Sequence, residues 1–231
     1  MIRHDGLRVS WLGYATLRIE GSETVYFDPG RYGVLDGHEP KDGDVVCVTH
    51  DHHYDTEGIR RVAKPDATVV LFEGINTHRI DRDVDRPADL PYAVRTVDTE
   101  SDILVGDVIV RTVNAYNEPD GPRVRQNGDP IHPKGLGCGF LVTVDDVTVF
   151  WPGDTDVLDG HEHLDVSLFC PPIGGAYTMD RHEAAALAEA MDPDLVLPIH
   201  YDTFEAIETD SGAFAADVAK RGVPVVLDER E

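Results

Sequence analysis

Residues 45–55 read Val-Val-Cys-Val-Thr-His-Asp-His-His-Tyr-Asp. The first four are apolar and largely β-branched, the character of a buried strand. The last six hold three histidines and two aspartates. In an extended chain alternate residues face the same side. His50 and His52 would therefore leave the strand end with both imidazoles aimed at one point. Neutral imidazole nitrogens about 2.0–2.1 Å from a common centre are what a zinc ion takes as ligands. A solvated loop with chance histidines is the bland alternative, and a single His-x-His does not decide between the two.

Three distant segments weigh on that choice. Residues 126–137, Gln-Asn-Gly-Asp-Pro-Ile-His-Pro-Lys-Gly-Leu-Gly, place His132 in a Pro-flanked loop before a strand. Residues 150–155, Phe-Trp-Pro-Gly-Asp-Thr, place Asp154 after a strand and a glycine. Residues 197–201, Leu-Pro-Ile-His-Tyr, place His200 after a strand. Each alone reads equally well as a loop or capping group. Together they form a set of His and Asp donors at strand ends, which suits zinc or a similar transition metal. A second His-x-His, His161 and His163, lies in an acidic loop and is expected to be solvated. Arg123, Arg125 and Lys134 flank His132 as candidates to meet an anion, against a plain surface role.

The elements that must position these residues follow from pattern. Val9 to Ile19 reads as a strand with a glycine break, and Thr24 to Phe27 as its hairpin partner, closed by Asp28-Pro-Gly. Residues 31–44 and 74–92 read as polar, Pro-interrupted loops. Further strands are expected at Thr68–Phe72, Val94–Val97, Asp107–Val113, Gly139–Val144 and Val147–Trp151, with Asp145-Asp146 as a tight turn. Asp165–Cys170, Leu195–Ile199 and Val223–Leu227 complete the set. Short helices are expected at 56–63 and 211–221. A third begins with the capping box Asp180-Arg-His-Glu183 and carries Ala184, Leu187, Ala188 and Met191 on one face. With 231 residues and no Gly/Ser-rich linker, one domain of two β-rich halves spanning 1–231 is expected.

Composition narrows the function classes. Acidic residues number 44 against 20 basic, a net charge of −24, and only Lys41, Lys64, Lys134 and Lys220 are lysines. A polyanion is repelled by this balance and no basic stripe offers it a binding path, so nucleic acid is not an expected partner. No run approaches the roughly 20 apolar residues of a membrane span. The first residues lack a signal-peptide core, and a cytoplasmic protein is expected. Cys47, Cys138 and Cys170 are odd in number and widely spaced, and read as reduced hydrophobes. The remaining partner class is a small-molecule substrate. Oligomeric state is not encoded in any feature of the sequence.

The ordered set of motifs resembles the metallo-β-lactamase superfamily, and within it the branch of L-ascorbate-6-phosphate lactonase. Trp11-Leu-Gly-Tyr-Ala-Thr16 is similar to that branch's first strand, Asp28-Pro-Gly to its second-strand ending, and Thr49-His-Asp-His52 to the start of its Thr-His-x-His-x-Asp-His signature. His132, Gly153-Asp154-Thr155, Pro172-Ile-Gly-Gly175 and Pro198-Ile-His-Tyr201 follow in the family's order. The resemblance spans about residues 7–228. It implies an α/β fold, a four-layer αβ/βα sandwich of two mixed sheets flanked by helices. It also implies that His50, His52 and His132 hold one metal, that Asp154 bridges, and that His200 holds a second. The signature's Asp-His pair falls on Tyr54 and Asp55. Asp55 could stand for either member, and His53 could replace the missing histidine. Tyr14 and Ala176 stand where many relatives carry histidine.

The implied activity is metal-dependent hydrolysis with one or two Zn2+ ions, or Mn2+ or Fe2+. A bound metal lowers the pKa of water from 15.7 towards about 7, and the resulting hydroxide would attack a small lactone, ester or phosphoester. Asp55 is the expected residue to orient the nucleophile or take its proton. Two other readings stay open: a phosphodiesterase or nuclease on the same fold, and a non-catalytic metal-binding protein.

The acidic, lysine-poor balance resembles proteins of halophilic archaea. At about 1 M salt the Debye length falls to roughly 3 Å and self-repulsion is screened. The melting temperature is therefore expected to rise as potassium chloride goes from about 0.1 M to above 1 M. A flat or falling melting temperature over that range contradicts the assignment.

Overall fold

Alternation of buried and exposed positions sets the first sheet. Along β2 (Leu7–Gly13), Leu7, Val9 and Trp11 point inward while Arg8 faces out. β2 pairs antiparallel with β1 (Ile2–His4) and β3 (Thr16–Glu20), and β3 with β4 (Thr24–Phe27). What reads as one strand over 9–19 is thus a hairpin, because Gly13 and Tyr14 both take positive φ, 104° and 48°. The pairing then turns parallel through β5 (Gly43–Val48), β6 (Ala63–Phe72) and β7 (Ala93–Val97). Every residue of β4 is buried, as expected where both faces are covered. The structure, a computed structural model, describes residues 1–228.

The second sheet repeats the plan. β8 (Asp102–Val105), β9 (Val108–Ala115), β10 (Gly137–Val144) and β11 (Val147–Trp151) pair antiparallel. β12 (Leu168–Phe169) and β13 (Leu195–Val196) then add in parallel. The sheets have seven and six strands. A continuous apolar core joins them, with Phe27, Phe140 and Trp151 among its fully buried members. Helices α1 (Thr56–Val62), α2 (Arg181–Met191) and α3 (Ser211–Lys220) lie outside the sheets, giving the expected αβ/βα sandwich. The capping box of α2 forms as the sequence indicates, with the Asp180 carboxylate accepting from the His182 and Glu183 amides.

The last strands are shorter than their apolar runs. Pro171 and Pro198 have no amide to donate, so the continuous ladder ends at Phe169 and Val196 and only an isolated bridge, Pro172 to Ile199, lies beyond. Val223–Leu227 contributes only a parallel bridge between Val225 and Val196. β1 and β8, edge strands of three and four residues, carry too little pattern to be read from sequence.

One close approach ties the fold to the loop after β4. A Cβ at Gly58 in α1 would lie 2.1 Å from the Pro29 carbonyl oxygen and 2.7 Å from the Gly30 Cα. Both obstacles are backbone, so α1 and residues 28–30 would have to separate. Gly58→Ala raises intrinsic helix propensity by up to about 1 kcal/mol, yet net destabilisation of at least about 1 kcal/mol is expected, as for an overpacked site. Thermal unfolding checks this. A variant melting at or above wild type would show that the contact is slack.

Candidate metal centre

The carboxyl ends of the strands converge on one edge of the sandwich. After β5 the chain does not continue extended. His50 bridges to Gly137 of the other sheet, and residues 51–53 turn, with the His53 and Tyr54 amides both donating to the His50 carbonyl at 3.2 Å. The turn, rather than strand alternation, brings His50, His52 and His53 to one side. Ring centroids of His50 lie 5.0 Å from His52, 4.3 Å from His53 and 5.2 Å from His132.

Asp154 lies at the middle of the cluster. It follows β11 and Gly153, whose φ of +72° would disfavour any side chain. Its two oxygens face different histidines. Oδ2 is 3.6 Å from His50 Nε2 and 3.4 Å from His132 Nε2. Oδ1 is 3.5 Å from His53 Nε2 and 3.3 Å from His200 Nε2. Two donor groups result: His50, His52, His132 and Asp154, and His53, Asp154 and His200. Within each group one ligand atom per residue lies within 4.8 Å of every other. His52 is the exposed member; the others are buried.

The donors fit a cation. His50 Nε2, His53 Nε2, His200 Nε2 and Asp154 Oδ1 are buried without any hydrogen-bond partner, a costly state for the protein alone. Burial holds His50 and His200 well below the ordinary imidazole range. Burial, then the charge of His53, lowers His52 to about 4; burial, then His52, lowers His132 to about 3. These imidazoles are neutral at pH 7, the form that binds metal. Burial pushes the Asp154 carboxyl up to about 6 against the pull of His53. Burial also works to lower His53, but the Asp154 and Asp28 carboxylates outweigh it and leave its pKa raised. The Asp154 and Asp28 carboxylates thus favour positive charge at His53, a charge that a cation held by the second group would supply equally well.

Asp28 is the functional residue that sequence reasoning leaves as a strand ending. Fully buried, its carboxylate accepts from the Thr49 amide (2.8 Å), the Thr49 hydroxyl (2.9 Å) and Trp151 Nε1 (2.7 Å), and contacts His53 Nδ1 at 2.9 Å. It fixes His53 with Nε2 facing Asp154, the carboxylate–histidine arrangement that orients metal ligands. The signal was present: a buried strand ending in an acid before Pro-Gly. On the other side, the His132 amide donates to Asn117 Oδ1 at 2.9 Å, and His132 Nδ1 lies 3.2 Å from the Tyr177 carbonyl oxygen, so its Nε2 faces inward. His200 takes a left-handed backbone (φ 59°), and its amide donates to the carbonyl of Tyr14, also left-handed. Such conformations cost about 1–2 kcal/mol each in a non-glycine residue, and the surrounding packing holds them.

Three expectations are corrected. Asp55 belongs to neither group: its carboxylate caps α1, accepting from the Gly58 amide at 2.9 Å, and accepts from the Arg31 amide at 3.0 Å. Both oxygens are engaged by backbone donors, so it neither ligates nor takes a proton at the cluster. Tyr54, at the signature's Asp position, packs in the core outside the first sheet and donates to the Asp85 carbonyl at 3.0 Å. His161 is buried, with Nε2 3.3 Å from the Asn114 carbonyl oxygen, while His163 is exposed. Arg123 is buried as well, pairing with Asp156 (3.1 Å) and with Glu183, so it supports the Asn117 side of the site and is not at the surface.

Comparison with known proteins agrees with this geometry. Residues 8–200 match the beta-lactamase superfamily domain. Over 230 residues the chain is 31% identical to a UPF0173 metal-dependent hydrolase of Archaeoglobus fulgidus, covering 95% of this chain and 94% of that protein. The chain belongs to the metallo-β-lactamase superfamily, in its UPF0173 metal-dependent hydrolase family. Another family member, from Methanosphaerula palustris, is 31% identical over 90% of this chain and 89% of its own length. Igni18, a metallo hydrolase from Ignicoccus hospitalis, shares the fold with a TM-score of 0.74 at 20% identity, covering 96% of this chain and 94% of its own.

Asp28→Asn keeps shape but replaces an acceptor oxygen by a donor amide facing Thr49, His53 or Trp151. Metal affinity is expected to fall about 10- to 100-fold, the usual effect of losing an outer partner of a ligand. Metal titration followed by elemental analysis measures it, and unchanged affinity would reduce Asp28 to a packing role.

Proposed function

We propose that the protein hydrolyses a small lactone, ester or phosphoester with one or two divalent cations, zinc first, held by the two donor groups. The observation that carries this is Asp154, whose oxygens each lie 3.3–3.6 Å from histidine nitrogens of a different group. A carboxylate has two oxygens and can serve two cations at once, whereas an imidazole offers one free nitrogen. His50, His52 and His132 are the ligands of one position; His53 and His200, with Asp154, are those of the second. When bound, such a cation supplies a hydroxide nucleophile near neutral pH and polarises the carbonyl or phosphoryl oxygen under attack.

The chain's own residues set the conditions for that chemistry. Asp28 and Asn117 hold the imidazoles in place, and burial keeps most of them neutral. Tyr14 caps His53 and His200 with ring centroids at 5.1 and 4.5 Å, which shields the second group from water. Its hydroxyl is kept protonated by burial and then by the Asp154 charge, so it can donate but not act as a base. At the departure over Tyr54 and Asp55, His53 supplies a second-group nitrogen where the signature has its histidine, while the signature's aspartate has no counterpart in either group. The three remaining donors of the second group support turnover over a merely metal-binding role. The motif likeness to the ascorbate-6-phosphate lactonase branch supports a lactone among the candidate substrates. The acidic surface supports a protein adapted to high salt and weighs against nucleic acid.

Asp154→Asn separates a ligand from a turn cap. Second-site occupancy and hydrolysis of the best ester or lactone found in a metal-replete screen should both fall at least about tenfold. If both stay close to wild type, Asp154 merely caps its turn. Metal retained by wild type with no hydrolysis across lactones, esters and phosphodiesters would favour the non-catalytic reading.

A further inference from the structure

The cavity beside the donor groups holds about 450 Å³, the size of a small-molecule site. Its walls differ in chemistry. One is aromatic: Tyr32 meets Tyr14 edge-on at 4.8 Å and lies 4.9 Å from Phe204. The other is basic. Arg31, Arg79 and Arg82 all reach this cavity, in a chain with 44 acidic and only 20 basic residues. Asp51, Asp81 and Asp154 are the acids that line it.

Two of the arginines are already committed. Arg79 Nε lies 2.7 Å from Asp51 Oδ2, and the same guanidinium donates to the Gly74 carbonyl. Arg82 donates to the Tyr54 carbonyl at 2.7 Å. Arg31 differs. Its guanidinium carbon sits 4.7 Å from the Tyr32 ring centroid, and among the described residues no carboxylate pairs with it. Its backbone is left-handed at φ 64°, as is that of Tyr32 at 49°. The Asp55 carboxylate holds this turn by accepting the Arg31 amide. Strained backbone thus delivers an unpaired, always-charged fork to the rim between the aromatic wall and the metal centre.

We propose that Arg31 determines specificity by receiving a carboxylate or phosphate carried by the substrate, whose flat apolar body lies against Tyr32 and Phe204 while its scissile bond reaches the donor groups. This rests on the hydrolase reading above and names its substrate class. A guanidinium binds either anion through two parallel N–H donors. Arg79 is neutralised by Asp51 and Arg82 is bound to a backbone carbonyl, whereas Arg31 lies directly on the aromatic wall.

The test is calorimetry on the metal-loaded protein at one fixed potassium chloride concentration. The probes are 4-hydroxybenzoate, 4-hydroxyphenyl phosphate and the neutral 4-cresol. At least one anion is expected to bind at least about tenfold tighter than 4-cresol, and whichever anion is preferred identifies the class. Arg31→Asn removes the charge and tolerates the left-handed backbone. With metal content unchanged, it should erase about tenfold of that preference. Arg31→Lys, which keeps the charge but not the fork, should retain part of it. Equal binding of 4-cresol by wild type overturns the proposal without any variant. So does a preference that survives in Arg31→Asn, which would assign the anion to the metal centre. Turnover of the matching acetate esters, 4-acetoxybenzoate and 4-acetoxyphenyl phosphate against 4-tolyl acetate, reports separately on hydrolysis. Anion preference intact but no ester cleaved, with the broad screen also negative, would sink the hydrolase reading alone.

Discussion

Buried imidazoles and a buried carboxylate share one small volume here, and the protein supplies no hydrogen-bond partner for several of their atoms. That is the constraint around which the rest is arranged. Leaving a polar atom unsatisfied inside a protein costs about 1–3 kcal/mol, so the cluster is expensive to hold without a counter-charge. The sandwich provides the means. Two large cores fix the strand ends; Thr49 and Trp151 donate to the Asp28 carboxylate that holds His53, and Asn117 accepts from the His132 amide. Asp28 and Asp154 form successive layers of negative charge behind and within the imidazoles, and both raise the proton affinity of His53.

The two halves reach the site by the same route. In each sheet antiparallel hairpins give way to parallel strands, and the ligands follow strands at or near that change: His50 after β5, Asp154 after β11, His200 after β13. Carboxyl ends of parallel strands at a change of connection are the usual place for ligand sites in α/β folds. The site thus belongs to both sheets, and the His50–Gly137 bridge stitches them together beside it.

Much of this is legible in the sequence. Buried runs such as Val45–Val48 and Val147–Trp151 announce strands, and polar residues directly after them announce a shared edge. What could not be read was local geometry. Alternation along a strand suggested that His50 and His52 would aim together; the tight turn at 51–53 does this instead and adds His53. The signature register pointed to Asp55, but a one-residue position in a turn decides whether an acid faces a cluster or caps a helix, and period-two logic ends where the strand ends. Asp28 escaped because its partners, Thr49, His53 and Trp151, lie 21, 25 and 123 residues away. Arg31 carried no pattern at all; only the cavity gives it meaning.

The donor groups contain nitrogen and oxygen but no sulfur. Cys47, Cys138 and Cys170 are buried and free, none joins either group, and burial pushes each thiol further from its thiolate form. Thiolate is the ligand that most sharply favours soft ions, so a centre built from these donors would separate zinc, iron and manganese mainly by their general order of affinity. The ion found in a preparation would then record the supply in the growth medium as much as the protein's preference. Loss of activity under oxidants, should it occur with iron loaded, will reflect the ion's own redox chemistry, because no ligand in the centre is itself oxidisable in the way a cysteine is.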